Sequence, residues 1–485
     1  MKIGVGVKQY ETVIGLEVHL QLCTKTKAFC GCRNEFGLEP NSATCPVCLG
    51  FPGSLPVLNK QYLEYAIKVA QALNCEIAKR MKFDRKNYFY PDLPKNYQIS
   101  QYDMPLSENG SLETVKNDGS IKKIRIKRVH MEEDAGKLIH EQKGTSCVDY
   151  NRTGTPLLEI VSEPDMYSPD EAYLYLTTLK ALLKYLEVSD CDMEKGSLRC
   201  DANISIRPAG TKPLGVKVEL KNMNSFKGVK AALEYEEKRQ EDAVSSGEKI
   251  IQQTRLWDSD RKVTESMRIK EQAHDYRYFP EPDLVPFEID SKQIKKIIEA
   301  MPELPEGKKK RLMESYKISE YDANILVSDR AMADYFESCI KIYSGAAKAA
   351  INWITSDILK YLNAENKQFS ELNLPPEHLM GMLEMIDKGQ ISGKIAKDVL
   401  VDMIGLEKSA QDIVKEKGLS QISDETKIKD TIKTVMQGNP KALEDYKKGK
   451  QNAITFLVGQ VMRATKGAAN PAVVNKLLKE ELGGV

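Results

Sequence analysis

Apolar and polar positions alternate strictly in two stretches of the chain. In 14–22, Ile14, Leu16, Val18, Leu20 and Leu22 fall on one side, and Gly15, Glu17, His19 and Gln21 on the other. In 198–206, Leu198, Cys200, Ala202, Ile204 and Ile206 oppose Arg199, Asp201, Asn203 and Ser205. A period of two puts successive side chains on opposite faces of a strand, so each run predicts a half-buried strand with a polar row. Similar runs at 121–131 and 215–221 predict two more strands. Turn signals at 108–111 (Glu-Asn-Gly-Ser) and 117–120 (Asn-Asp-Gly-Ser) make 108–131 a hairpin-rich antiparallel region.

Helical spacing appears at 59–74, 169–187 and 226–246. The second opens on Ser168-Pro169-Asp170-Glu171, with a capping serine, proline in the first turn and acids beside it. After Pro286 helical spacing takes over: 291–300, 308–315, 319–327, 330–343, 346–363 and 376–387, then 393–404, 408–417, 425–437, 440–449, 451–465 and 471–482. The expected class is α+β. An antiparallel-sheet domain (1–292) precedes an all-α domain (293–405) and a small α-helical tail (406–485).

Composition narrows this little. With 485 residues, 41% apolar and 29% charged, the chain is ordinary for several globular domains. Apolar runs are too short for a membrane span, and the N-terminus lacks a signal layout, so a cytoplasmic protein without membrane association is expected. A net charge of +1 gives no global bias toward nucleic acid, although a local basic patch would suffice for RNA.

Four of the ten cysteines do change the picture. Cys30, Cys32, Cys45 and Cys48 form C-x-C-x12-C-x2-C. Two close thiol pairs on two turns can close a tetrahedral four-sulfur shell, the preferred geometry of structural Zn²⁺. Such a closed shell leaves no position for water, so its expected role is structural.

The polar rows suggest a second metal. A third row, Lys217, Glu219 and Lys221, joins Glu17/His19 and Arg199/Asp201, and Glu132, Glu133 and Asp134 lie beside His130. Carboxylates at this density repel unless a cation sits among them. Interleaved Lys86, Arg125, Lys127, Arg128, Arg152, Arg199 and Arg207 would suit phosphate shared with Mg²⁺. No G-x-x-x-x-G-K-[ST] loop is present, and Gly4 and Gly6 do not make one. A nucleotide would then be held on the sheet through metal.

The longer strings resemble the GatB/GatE family, the B subunits of tRNA-dependent amidotransferases. They include 11–19 (ETVIGLEVH), 88–95 (YFYPDLPK), 97–102 (YQISQY), 130–137 (HMEEDAGK), 151–159 (NRTGTPLLE), 193–203 (MEKGSLRCDAN), 221–226 (KNMNSF) and 275–283 (DYRYFPEPD). The C-terminal strings 456–462 and 466–472 are similar to the family's YqeY-type tail. The resemblance implies a glutamine-synthetase-like cradle that uses ATP and Mg²⁺ to phosphorylate the side-chain carboxylate of Glu-tRNA(Gln) or Asp-tRNA(Asn). Ammonia from an amidase A subunit then gives the amide, within a heterotrimer completed by a small C subunit. It implies Glu17, His19 and Glu133 as catalytic metal ligands, with Asp201 and Glu219 in addition, and Glu132 if the register at 132–133 is off by one. Lys86 is the implied phosphate contact, with Arg152 and Arg199 as further contacts. A tRNA-binding role falls to the tail.

Two rivals differ in kind. A free-standing ligase for a small amino acid would not need the helical half. A non-catalytic, zinc-containing RNA-binding scaffold explains the cysteines but not the acid rows.

Overall fold

In the computed structural model, described residues are 10–116, 118–140, 144–267, 276–343, 345–419, 425–447, 452–465, 469 and 471–483. Gly4, Gly6, Asn117, Asp275, Lys466, Gly467, Ala468 and Asn470 of the strings above lie outside them. The chain divides into two compact units at Leu304/Pro305.

The first unit is built on a nine-stranded sheet. Its strands are β1 (Tyr10–Gln21), β2 (Glu76–Ile77), β6 (Ser107–Val115), β7 (Ile121–Glu133), β10 (Pro156–Ser162), β11 (Leu198–Pro208), β12 (Val218–Lys221), β13 (Gln253–Asp258) and β14 (Val263–Ser266). The spatial order is β14-β13-β12-β11-β1-β10-β7-β6-β2. All neighbours are antiparallel except β12 and β13, so the expected antiparallel sheet carries one parallel pair. Smaller sheets join β15 (Phe279–Pro280) to β4 (Asp84–Asn87) and β5 (Tyr97–Ser100), β16 (Phe287–Glu288) to β3 (Arg80–Met81), and β8 (Lys137–His140) to β9 (Ser146–Asp149).

The alternation in β1 decides which face is buried. Ile14, Leu16, Val18 and Leu20 have no exposed surface and share one core with helices α2 (Lys60–Ala72), α3 (Pro169–Tyr185) and α4 (Phe226–Ser245), which follow a short helix α1 (Pro46–Leu49). Ala66, Ile67, Leu176, Leu179, Val229 and Leu233 supply the helical side of that core. Ser168 caps α3 by accepting from the Glu171 N–H, as the sequence indicates. With helices on one face, the Glu17/His19 and Arg199/Asp201 rows stand on the other.

Tyr62 locks the sheet centre from below. Its buried hydroxyl lies 2.7 Å from the carbonyl oxygens of both Glu132 and Leu157, on adjacent strands. The three-stranded β15-β4-β5 sheet reaches the end of β7: the Gln98 amide donates to the Glu133 carbonyl at 2.7 Å.

The second unit is helical. One core runs from Leu312 to Val414 and another from Ile428 to Leu482. The helices at Gly393–Leu406 and Ala410–Lys417 share the former. The stretch read as one helix at 346–363 contains a π-helical turn at Trp353–Ile358. Among the described residues, no helix is long and apolar enough to cross a membrane.

Candidate active site

Cross-strand register assembles the polar groups. His19 of β1 lies opposite Glu159 of β10, and Glu159 lies opposite His130 of β7. Arg199 of β11 flanks His19 on the other side. One row therefore reads Arg199–His19–Glu159–His130 across four strands. Glu132, two residues along β7 from His130, shares its face.

The contacts follow from this row. The His19 Nε2 lies 3.6 Å from Glu159 Oε2 and 3.7 Å from Glu132 Oε1. The His130 Nε2 lies 3.1 Å from Glu159 Oε2. Ligand atoms of His19, Glu132 and Glu159 come within 4.8 Å of one another, as a shared cation requires. Burial works against protonation of His19, but Glu159 and Glu132 outweigh it and raise its pKa. Burial likewise opposes the charge of Glu159, yet His130 and His19 hold its pKa well below the usual carboxylate range. The buried His130 Nδ1 has no partner among the described residues. Two carboxylates and an imidazole fit a divalent cation, with the carboxylates suited to Mg²⁺.

Lys86 faces this group from β4. Burial disfavours its charge, but Glu132, Tyr278 and Glu159 more than compensate, and its pKa is raised. Its Nζ lies 5.0 Å from the Tyr276 ring centroid.

The structure separates the remaining expected ligands. Glu17 accepts from the Asn203 amide at 2.9 Å, one row away from His19. Asp201 and Glu219 share the Lys221 ammonium, with Glu219 Oε1 at 3.1 Å. Thr254 also donates to Glu219 at 2.7 Å. Lys221 offsets part of the charge of Asp201 and Glu219, and Glu17 meets a neutral amide, so the three form a second acid group beside the first. Burial opposes ionisation of Glu219, but Lys221 and Thr254 hold its pKa down.

Glu133 is not brought to the cluster. Alternation along β7 sends it to the face opposite Glu132. There it pairs with Lys95 and accepts from the Ile99 N–H at 3.0 Å, with both charged side chains buried. Of the two neighbours, it is Glu132 that the structure places with His19 and Glu159.

Arg152 and Arg199 are also committed. Arg199 binds Asp134 through two nitrogens, at 2.8 and 3.1 Å. Arg152 donates to the carbonyls of Ala135 and Gly136 at 2.9 and 2.6 Å and lies 3.8 Å from Asp134. Gln21 donates to Asp134 as well, at 2.7 Å. Burial disfavours the Asp134 charge, but the two arginines win and bring its pKa from 3.8 down to about 2. A depressed carboxylate pKa stabilises the fold above the unfolded value. That contribution disappears as the pH falls from 3.8 through about 2. Asp134→Asn is therefore expected to cost about 2 kcal/mol at neutral pH. Urea unfolding of parent and variant at pH 7 measures it.

Glu159 is the group that sequence reasoning left out of the cluster, and His130, set beside the acids in the sequence, had no role assigned to it. β10 reads as Pro-Leu-Leu-Glu-Ile-Val-Ser, a nearly unbroken apolar run because most of it is buried. Its one carboxylate within that run was the available signal.

The four cysteines do converge. Their sulfurs all lie within 4.8 Å of one another, a donor set compatible with zinc. Cys45 precedes α1 in extended conformation, and its N–H donates to Cys48 Sγ at 3.1 Å. Gly50 ends α1 at φ 71°, and a Cβ there would collide with Lys95 Cγ, so glycine is required twice over. The thiol of Cys30 and the N–H of Cys45 help bring the Cys48 pKa down to about 5, whereas burial pushes Cys32 up to about 11. Lys27 is wholly buried, with its Nζ 2.7 Å from the Ala43 carbonyl and 3.8 Å from Cys48 Sγ. Lys27→Met removes the cation facing that thiolate. It is expected to weaken zinc retention by about tenfold, the scale of outer-shell metal partners. Competition with a chromogenic chelator measures it.

Comparison with known proteins agrees with this architecture. The GatB/GatE catalytic domain profile matches residues 12–295, and the GatB domain profile matches 334–482. The B subunit of the aspartyl/glutamyl-tRNA(Asn/Gln) amidotransferase of Carboxydothermus hydrogenoformans is 56% identical over 98% of this chain and 99% of its own length. The proteins of the same name from Thermoanaerobacter sp. and Geobacillus kaustophilus are each 55% identical, over the same shares of both chains. Matches that span the sheet unit, the helical unit and their order along the chain leave one conclusion: this protein belongs to the GatB/GatE family.

Proposed function

We propose that this chain is the B subunit of a glutamine-dependent amidotransferase that converts Glu-tRNA(Gln) or Asp-tRNA(Asn) to the amide. The observation that carries the reading is the His19–Glu159–Glu132 cluster, on the domain that the family calls catalytic. A side-chain carboxylate is a poor acyl donor because its leaving group would be oxide. Attack of a carboxylate oxygen on the γ-phosphorus of ATP releases ADP and makes phosphate the leaving group. Ammonia from the A subunit then attacks the acyl carbon, phosphate departs, and the amide remains.

Mg²⁺, when bound, would supply charge neutralisation for the phosphoryl oxygens. His19, Glu132 and Glu159 are the residues to hold it, with Glu17, Asp201 and Glu219 beside them. Lys86 has the charge and position to meet a phosphate next to that cation. Arg199 and Arg152 act through Asp134, which keeps the turn after β7 fixed. The cysteine knuckle would hold structural Zn²⁺. The small C subunit completes the assembly, and the cytoplasm is its proposed location.

The tail is the proposed tRNA contact. Residues 428–482 have a hydrophobic core of their own. Deleting 420–485 is expected to raise the KM for aminoacyl-tRNA about tenfold and to leave the KM for ATP within about twofold, since tRNA binding is spread over many phosphate contacts. Steady-state kinetics in the assembled complex measure both. The function itself is tested by ATP hydrolysis in that complex. Mischarged tRNA stimulates it on this reading, and no stimulation would leave the RNA-binding scaffold as the better description.

A further inference from the structure

Strand β7 changes face partway along. Its buried apolar residues are Ile124 and Ile126, then Val129 and Met131, so the spacing slips from two to three. The slip coincides with a register break against β10: Arg128 lies opposite Val161, but Ile126 lies opposite Ser162. Lys127 is thus the extra residue of a bulge, a device that re-aims side chains next to functional sites. Without it, Arg128 would share the core face with Ile124 and Ile126. With it, Arg128 stands on the face of His130 and Glu132.

Arg128 has no partner there. Its Nε is buried and unbonded, and its guanidinium makes no hydrogen bond or ion pair among the described residues. Nearby arginines differ in this respect. Arg199 and Arg152 are held at Asp134, and Arg125 binds Asp165 through two nitrogens at 2.7 and 2.8 Å. Val161, opposite Arg128, is also opposite Glu17, so Arg128 lies across the sheet from the second acid group and along its strand from the first.

We propose that Arg128 is an oxyanion-binding residue of the reaction, held at the cation cluster by the bulge. Its planar fork suits two oxygens of one anion, which a lysine's point charge does not reproduce. Two sources carry that chemistry here: a phosphoryl group of the nucleotide and the side-chain carboxylate of the aminoacyl ester. The inference rests on the function proposed above.

The test uses Arg128→Gln and Arg128→Lys in the full chain, assembled with its partner subunits. Both are expected to lower kcat/KM for amide formation, the glutamine variant by about a hundredfold and the lysine variant by about tenfold, the range of one oriented donor. Guanidinium ion is expected to restore part of the loss in the glutamine variant. Calorimetric titration with ADP and Mg²⁺ separates the sources. Weakened ADP binding with an unchanged KM for aminoacyl-tRNA identifies a phosphoryl partner. Unchanged ADP binding with a raised KM for aminoacyl-tRNA identifies the carboxylate. The inference is overturned if a folded glutamine variant stays within about twofold of the parent in all of these, well short of the loss of an oriented donor. It is equally overturned if the loss follows thermal unfolding and guanidinium rescues nothing. Should the glutamine variant not fold, the lysine variant decides by the same criteria. A parent complex that binds ADP but shows no tRNA-stimulated hydrolysis would undo the function and leave the ADP titration to judge Arg128.

Discussion

Glu132→Gln is expected to lower amide formation by at least about a hundredfold, while glutamine hydrolysis by the A subunit is retained. The substitution keeps volume and the hydrogen bond from Ser100, 3.2 Å from Glu132 Oε2. It removes one of two carboxylates from a three-residue cation site, and with it charge that also faces His19 and Lys86. Loss of a preorganised charge at a phosphoryl-transfer site has effects of that size. His19→Ala is expected to act alike, since it removes the imidazole between the two carboxylates.

Glu133→Gln makes the contrast. Glu133 neutralises Lys95 away from the cluster, and both side chains are buried. Removing one partner leaves an uncompensated charge, which costs about 3–5 kcal/mol. Its first readout is therefore a lowered unfolding midpoint. Paired unfolding and activity measurements on both variants separate the roles. If Glu133→Gln loses catalysis with undiminished stability and Glu132→Gln remains active, the assignment of these neighbours is reversed.

Cys48→Ser is the second large effect. Four sulfurs within 4.8 Å of one another cannot all be thiolates unless a cation is shared among them. Metal analysis of the parent is expected to give one tightly held zinc per chain, and the variant is expected to lose it. Structural zinc contributes about 10–16 kcal/mol of binding free energy in isolated zinc-finger peptides. Here the knuckle adjoins a sheet core with its own stability, so local opening is expected. Proteolysis should then cut within 30–54 in the variant or in chelator-treated parent, and the β1–β11 core should stay intact. A parent without zinc would refute the knuckle as a metal site.

Much of this was legible in single strands. The alternation in Ile14–Leu22 and Leu198–Ile206 identified both central strands and their polar faces, because antiparallel strands buried on one face carry a period of two. The cysteine spacing was equally direct. What the sequence hid was register. Glu159 became visible only with β10, whose burial disguises the period. Glu132 and Glu133 could be told apart only by counting from His130 on a strand whose phase shifts at Lys127. That shift had left its mark as the three-residue step from Ile126 to Val129. Asn203 orients Glu17, a contact that depends on the pairing of β1 with β11.

Oxygen tracing tests the central claim most directly. Mischarged tRNA carrying oxygen-18 in the amino acid's side-chain carboxylate is supplied with ATP, Mg²⁺ and glutamine to the assembled complex. Activation by phosphoryl transfer moves one labelled oxygen from the carboxylate into inorganic phosphate for each amide formed, and mass spectrometry of the phosphate should show it. Unlabelled phosphate accompanying amide formation would contradict the account.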